Sequence, residues 1–211
     1  MARKIVKYSL LTIVIGLLAY KSVFIVKLSE LQTVEPKPFD APGFVQQLWA
    51  GPLPARLDSA LTLDALQAAI KANPTQTFDN YLNSMSIGNV RYGLVKVTGK
   101  VLSVNDDNVV VLTGNKDNQH TVSIATEYVY GNAIRDASRL VNIKDFVNTT
   151  DLNKISEELN KTVRTKVLPA FKGSVHKADS IACTGAIELN QAHYSLDDLE
   201  IIPVQCKIIQ H

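Results

Sequence analysis

Cysteine, tryptophan and methionine are scarce in this chain of 211 residues, which holds two, one and two of them respectively. Acidic residues are missing altogether ahead of Glu30. With Cys183 and Cys206 as the only cysteines, no Cys-x-x-Cys metal site can form, and no cysteine follows the N-terminal apolar run where a lipid would be attached. His120, His176, His193 and His211 share no metal-ligand spacing, and there is no His-Glu-x-x-His pair. A P-loop, a dinucleotide fingerprint and a nucleophile elbow are also lacking, so no cofactor is expected. The acidic pairs Asp106-Asp107, Glu157-Glu158 and Asp197-Asp198 read as solvated faces rather than paired catalytic carboxylates. Internal repeats and low-complexity tracts are missing too.

What is present is enough apolar surface for a packed core: 46% of residues are hydrophobic and 20% charged. The formal net charge of +2 hides an asymmetry. Five of the 22 basic residues (Arg3, Lys4, Lys7, Lys21 and Lys27) precede residue 29, and the remainder carries 17 basic against 20 acidic residues, a net of −3. A mildly acidic body lacks the electrostatic footprint of a nucleic-acid binder, and no nucleic-acid partner is expected.

The basic N-terminus leads into an apolar run, Tyr8 to Tyr20, which Val23 to Val26 continue beyond Lys21. Basic residues followed by an apolar segment are the layout of an export signal, and they favour a cytoplasmic N-terminus. Tyr8 to Val26 would span roughly 28 Å as a helix, close to the roughly 30 Å hydrocarbon core of a bilayer. A signal-peptidase site would want small residues, and Leu17 stands two positions before Ala19. An uncleaved anchor is therefore expected over residues 1–28, the alternative being a cleaved signal peptide. The implied topology is a single pass through a bacterial inner membrane with the C-terminal body in the periplasm.

Residues 29–38 read as a linker, with Pro36 and Pro38 disfavouring helix. The domain proper is expected over 39–211. Asp40 can cap a short helix bearing Phe44, Val45, Leu48 and Trp49, with Phe39 and Phe44 spaced as a hydrophobic staple. Thr62 can cap a second, with Leu63, Leu66, Ala69 and Ile70 as its stripe, ending at Asn73-Pro74. Thr75 to Asn89 is compatible with a short helix and loop. From Tyr92 the period becomes that of strands: Leu94 to Val104, Val109 to Leu112, and Thr121 to Ala125 with Val122 and Ile124 inward, the last two separated by a polar turn at Gly114 to Gln119. Gly99, central to the first of these, suggests a bend or bulge. Asp151 to Val167 carries Leu152, Ile155, Leu159, Val163 and Val167 at helical spacing, stopped by Pro169 and Gly173. Two strands close the chain, Ser180 to Leu189 and Glu200 to Ile209. The expected class is α+β, mainly β: a small OB-like β-barrel with packed helices, behind the N-terminal transmembrane or signal-anchor helix.

If the last two strands form a hairpin with Leu189 opposite Glu200, Cys183 falls opposite Cys206. Directly opposed residues of a non-hydrogen-bonded pair have Cα atoms about 4.5 Å apart, within disulfide reach. The alternative is two free buried thiols, since a slip of one residue destroys the pairing. His120 and Cys183 behind a single anchor resemble the layout of the sortase transpeptidases. That family's Thr-Leu-x-Thr-Cys motif is not met by Ala182-Cys183-Thr184, however, and no arginine follows Arg164.

The segment Tyr130-Gly131-Asn132-Ala133-Ile134-Arg135-Asp136-Ala137 offers one candidate site. A guanidinium beside a Gly-Asn turn can bind a carboxylate, a phosphate or sugar hydroxyls, so Asn132, Arg135 and Asp136 are candidate ligand-binding residues. The competing reading is a clamp in which Arg135 and Asp136 bond the loop backbone.

The same segment carries a resemblance. Gly131 to Asn148, together with Phe39-Asp40-Ala41, Phe44-Val45, Trp49, Leu53-Pro54, Val97-x-Gly99-x-Val101 and Ile202-Pro203-Val204, resembles an uncharacterised bacterial family of predicted periplasmic lipoproteins (domain of unknown function 2291). The likeness covers nearly all of residues 35–209. It implies an exported OB-like domain, with genes often neighbouring sugar ABC-transporter operons, and supplies no catalytic residues. Leu17-Leu18-Ala19-Tyr20 stands where a lipobox cysteine would be expected, so a transmembrane anchor takes the lipid's place. The expected role is a non-enzymatic accessory module that binds an envelope protein, a transporter component or a small polar ligand such as a sugar. The alternative is a periplasmic enzyme with a site around Arg135 and Asp136.

Overall fold

The N-terminal run forms helix α1 (Ala2–Ser22). Its window Ile5–Ser22 has a mean hydropathy of 1.4 and none of it is buried, so by length and composition it can cross a membrane. The computed structural model describes residues 2–22, 38–114 and 119–210. Val23 to Val26, nearly all of the 29–38 linker and the centre of the Gly114–Gln119 turn lie outside the described residues. Met1–Phe39 and Asp40–His211 form two compact units.

Within the larger unit, helices α2 (Ala41–Ala50) and α3 (Pro52–Asp58) come first. Asp40 caps α2 by accepting from the Gly43 N–H at 3.0 Å, and Phe44 packs edge-on against Phe146 with centroids 5.8 Å apart. After the short strand β1 (Leu61–Thr62), the Thr62 hydroxyl caps α4 (Leu63–Ala72), whose Leu63, Leu66 and Ile70 are buried. Ala69 is only half-buried. Gln67 takes the inward position instead, donating to the Leu196 carbonyl at 3.1 Å. Thr75 to Asn89 resolves into α5 (Pro74–Tyr81), capped by Asn73, the short strand β2 (Leu82–Asn83) and a loop.

Strand β3 (Val90–Val104) is long because it serves two partners. Val90 to Lys100 pairs with β6 (Ser180–Asn190), and Gly99 to Val104 pairs with β4 (Asn108–Thr113). Strand β4 pairs with β5 (His120–Ala125), which runs parallel to β7 (Leu199–Gln210), and β7 pairs with β6. Since β6 also pairs with β3, the ladder returns to its starting strand. The period-two pattern explains which side is filled: Val95, Val97, Val101, Val109, Val111, Val122, Ile124, Ile181, Ile187 and Ile201 share one core with Leu66, Ile70 and Phe78. Leu102 and Val104 fall on the other phase and are exposed.

The bend foreseen at Gly99 sits slightly further along, as a register shift between Val101 and Ser103. Gly99 itself is needed because a Cβ there would lie 2.2 Å from the Leu112 carbonyl oxygen and 2.7 Å from Val111 Cγ1. Gly99→Ala must therefore push β4 away, and we expect it to lower stability by about 2 kcal/mol or more. Thermal unfolding checks this; a wild-type midpoint would mean that the ladder yields without cost.

Helix α6 (Ala133–Ser138) follows β5, and a 3-10 turn (Ile143–Asp145) leads to α7 (Thr149–Thr162), which is capped by Asn148. Leu152, Ile155, Leu159 and Val163 are buried, as their spacing requires. Pro169 does not end this helical run. Val163–Val167 form a π turn in which the Leu168 N–H donates to the Val163 carbonyl, and α8 (Leu168–Lys172) continues with Pro169 in its first turn. The wider π turn ahead of Pro169 accommodates a residue that has no N–H to donate.

The β6–β7 ladder places Cys183 opposite Cys206, and the two sulfurs are bonded across Cα atoms 4.1 Å apart. Nearer the turn the register shifts by one between Thr184 and Gly185, so Gly185 faces Pro203 and Ala186 faces Ile202. The Leu189–Glu200 pairing is thus not part of this ladder. Pro203 has no N–H to contribute, and prolines inside sheets gather at such irregularities.

Candidate functional site

The candidate residues Asn132, Arg135 and Asp136 lie at the start of α6 and within it, and all six residues of that helix are buried. Gly131 precedes it at φ 78, a left-handed conformation that glycine adopts freely. Arg135 and Asp136 are 3% and 0% exposed. Arg135 Nε donates to Asp136 Oδ1 at 2.8 Å and its Nη1 to the Leu152 carbonyl at 3.1 Å. The other carboxylate oxygen, Oδ2, accepts from the Met85 N–H at 3.0 Å, and the Asp136 carbonyl accepts from Asn83 Nδ2 at 3.0 Å. Asn132 Oδ1 accepts from the Ser156 hydroxyl at 3.0 Å, and Asn160 Nδ2 donates to the Gly131 carbonyl at 2.9 Å. The structure brings the three residues together as a clamp that ties α6 to α7 and to the 83–85 segment.

That segment forms one wall of a cleft of about 660 Å³. Asp79, Asn83, Ser84 and Met85 line it, together with Asn142 and Ile143 and the guanidinium-bearing residues Arg91 and Arg139. Arg139 caps α6 in the left-handed region, at φ 55. The cap turns the chain, and Arg139 Nη2 reaches the carbonyls of Asp79 and Leu82 on α5 and β2. Arg91 Nη1 donates to the Gly88 and Val90 carbonyls at 2.7 and 2.9 Å. Partial burial, and then the charge of Arg56, lower the pKa of Arg139 from its usual value. Arg56 in turn donates to the Ser138 carbonyl at 2.9 Å.

Among the described residues, no carboxylate lies within ion-pair distance of Arg91 or Arg139. Their nitrogens bond neutral carbonyls, which fix the guanidinium planes without neutralising them. Two oriented guanidiniums with amide and hydroxyl groups beside them have the donor chemistry that suits a carboxylate or a phosphate. On the neighbouring strands, Tyr92 pairs with Glu188. Burial, then the Glu188 charge and hydrogen bond, raise the Tyr92 pKa.

Sequence reasoning singled out Asn132, Arg135 and Asp136 as ligand-binding residues, with a clamp as the competing reading, and it missed the cleft. The family-like stretch passes directly over Arg139, but an arginine ending a helix in the left-handed conformation has no sequence signature. His120 is in a different place: it lies 3.9 Å from Asp64 and lines a second, polar cavity of about 480 Å³ with Lys71 and Tyr194. Cys183 is buried and bonded, which leaves no thiolate for a transpeptidase. Among the described residues, no group of three or more His, Cys, Asp or Glu side chains could hold a metal ion.

The profile of the family described as "Predicted periplasmic lipoprotein (DUF2291)" matches residues 13–207. The chain belongs to this family. The description assigns no biochemical role. Its word lipoprotein meets a chain whose two cysteines, Cys183 and Cys206, are consumed by one disulfide. The structure is also similar to the crystal structure of an OB-fold protein from Thermotoga maritima, with a TM-score of 0.70 and 20% identity. The similarity covers 82% of this chain and 99% of that one. The mixed α/β fold is therefore of OB type, with α6 to α8 inserted between the third and fourth long strands. No curated protein matches the chain.

Proposed function

We propose that this DUF2291 protein is a membrane-anchored periplasmic accessory module whose OB-like barrel binds an anionic group in the Arg91/Arg139 cleft. The observation that carries the reading is the pair of guanidiniums fixed by backbone carbonyls and, among the described residues, ion-paired to no carboxylate. Helix α1 supports the anchor, because its 18-residue apolar window is long and apolar enough to cross a bilayer. The disulfide supports an oxidising compartment outside the cytoplasm. Catalysis plays no part in this reading. The Arg135–Asp136 pair around which an enzyme site was conceivable is buried and bonded, which favours a positioning role. The task served is solute uptake or envelope assembly, in association with a transporter or envelope component. Acidic sugars and phosphorylated solutes have the chemistry the cleft recognises.

Inorganic phosphate is the first probe. The full chain in phosphatidylcholine vesicles should bind it saturably by calorimetry. Arg139→Gln should weaken binding about tenfold, equivalent to about 1.4 kcal/mol. Arg139→Lys should fall between the two, keeping the charge and losing the fork. Undetectable binding, or equal affinity in all three proteins, would refute the assignment.

A further inference from the structure

The loop beside the cleft is small and polar except at its centre. Asn83 to Asn89 reads Asn-Ser-Met-Ser-Ile-Gly-Asn. Ile87, in its middle, is fully solvent-exposed at 106%. Met85 lines the cleft itself, and so does Ile143, which is 46% exposed. A single exposed aliphatic residue needs no explanation. Here three long apolar side chains, two of them lining the cleft, lie on the segments that carry or flank two arginines without an ion-paired carboxylate among the described residues.

The charged neighbours have to be weighed. Asp79 lines the cleft, and Lys144 and Asp145 follow Ile143, so the local balance is set by Arg91 and Arg139, with Arg56 beyond Arg139. The body as a whole, with 17 basic and 20 acidic residues after residue 28, would be repelled weakly by an anionic surface. A cationic spot on an acidic body selects one orientation at such a surface. Apolar tips next to cations suit a boundary that is anionic outside and apolar within.

We infer that the face carrying Ile87, Met85 and Ile143 docks on an anionic phospholipid bilayer, with lipid phosphates in the Arg91/Arg139 cleft and the aliphatic side chains among the headgroups. This rests on the cleft being an anion site, and names the source of the anion. A tethered body needs little intrinsic affinity to dock, because its effective concentration at the membrane is high.

Hydrogen exchange of the full chain tests it, in vesicles of phosphatidylcholine alone and of phosphatidylcholine mixed with phosphatidylglycerol. Residues 83–91 and 139–147 should exchange more slowly in the mixed vesicles, and the protection should vanish at high salt. Each arginine changed to glutamine should weaken docking about fivefold. Arg91→Lys with Arg139→Lys should retain most of it, and Ile87→Ser, on an open tip with no folding role, should reduce it. Equal exchange in both vesicles overturns the inference, as does protection that survives Arg91→Gln with Arg139→Gln. If inorganic phosphate alone then protects the cleft, the anion-binding reading stands and the ligand is soluble. If neither lipid nor phosphate protects it, both readings fall.

Discussion

Asp136→Ala is expected to destabilise the protein by about 3–5 kcal/mol, the usual cost of removing one partner from a buried ion pair. The cost arises less from the attraction lost than from what is left behind. Arg135, at 3% exposure, would keep a guanidinium with only the Leu152 carbonyl to face it. The Met85 N–H would lose its acceptor as well. Asp136→Asn should cost less, because an amide oxygen can still accept from Met85 or Arg135. Arg135→Met combined with Asp136→Ala should cost less than the two single changes summed, since no stranded charge remains. Urea unfolding of the full chain in mild detergent measures the wild type and these four variants. A loss below about 1 kcal/mol for Asp136→Ala would mean that water reaches Arg135 and that the clamp is looser than its geometry. The same variants report on the cleft. Because the Asp136 carboxylate holds the Met85 backbone N–H beside the cleft, phosphate affinity should fall even where the protein stays folded.

How much of this was legible beforehand depended on how local the signal was. Strand phases were readable where Val95 and Val97 flank Lys96 and where Val122 and Ile124 flank Ser123. The unbroken run Val109 to Leu112 showed no phase, and only the structure separates buried Val109 and Val111 from half-buried Val110 and Leu112. Caps at Asp40 and Thr62 were readable because short oxygen-bearing side chains precede apolar runs. Helix α6 was not, since Ala-Ile-Arg-Asp-Ala-Ser is too short to show a period and its two charges look solvent-facing. Only tertiary structure, with the Leu152 carbonyl and the Met85 N–H arriving from two other segments, makes their burial tolerable. Pro169 misled for a related reason: proline ends a regular helix, but the wider π turn before it accommodates a residue with no N–H to donate. The cleft was invisible for the most general reason. Arg91 and Arg139 are 48 positions apart in the sequence, and their shared role depends on a left-handed cap that no residue pattern announces.

Replacing Cys183 and Cys206 together by alanine should remove about 3 kcal/mol of stability, the chain-entropy value for a loop spanning 23 positions. Both must change, since a lone thiol would add exchange chemistry of its own. The fold should survive, because β6 is held on its other edge by eleven paired positions of β3, from Val90 to Lys100. What changes is the unfolded chain, which becomes less restricted, so the urea dependence should steepen as more surface is exposed. The state of the bond in protein taken from cells tests where the body resides. Protein taken from the membrane fraction, alkylated without reduction and weighed, should carry no modified thiol, because a bond between Cys183 and Cys206 persists only where thiols are not kept reduced. Two modified thiols would place the body in a reducing compartment, and an anchor read as leading outward would then have to be read the other way.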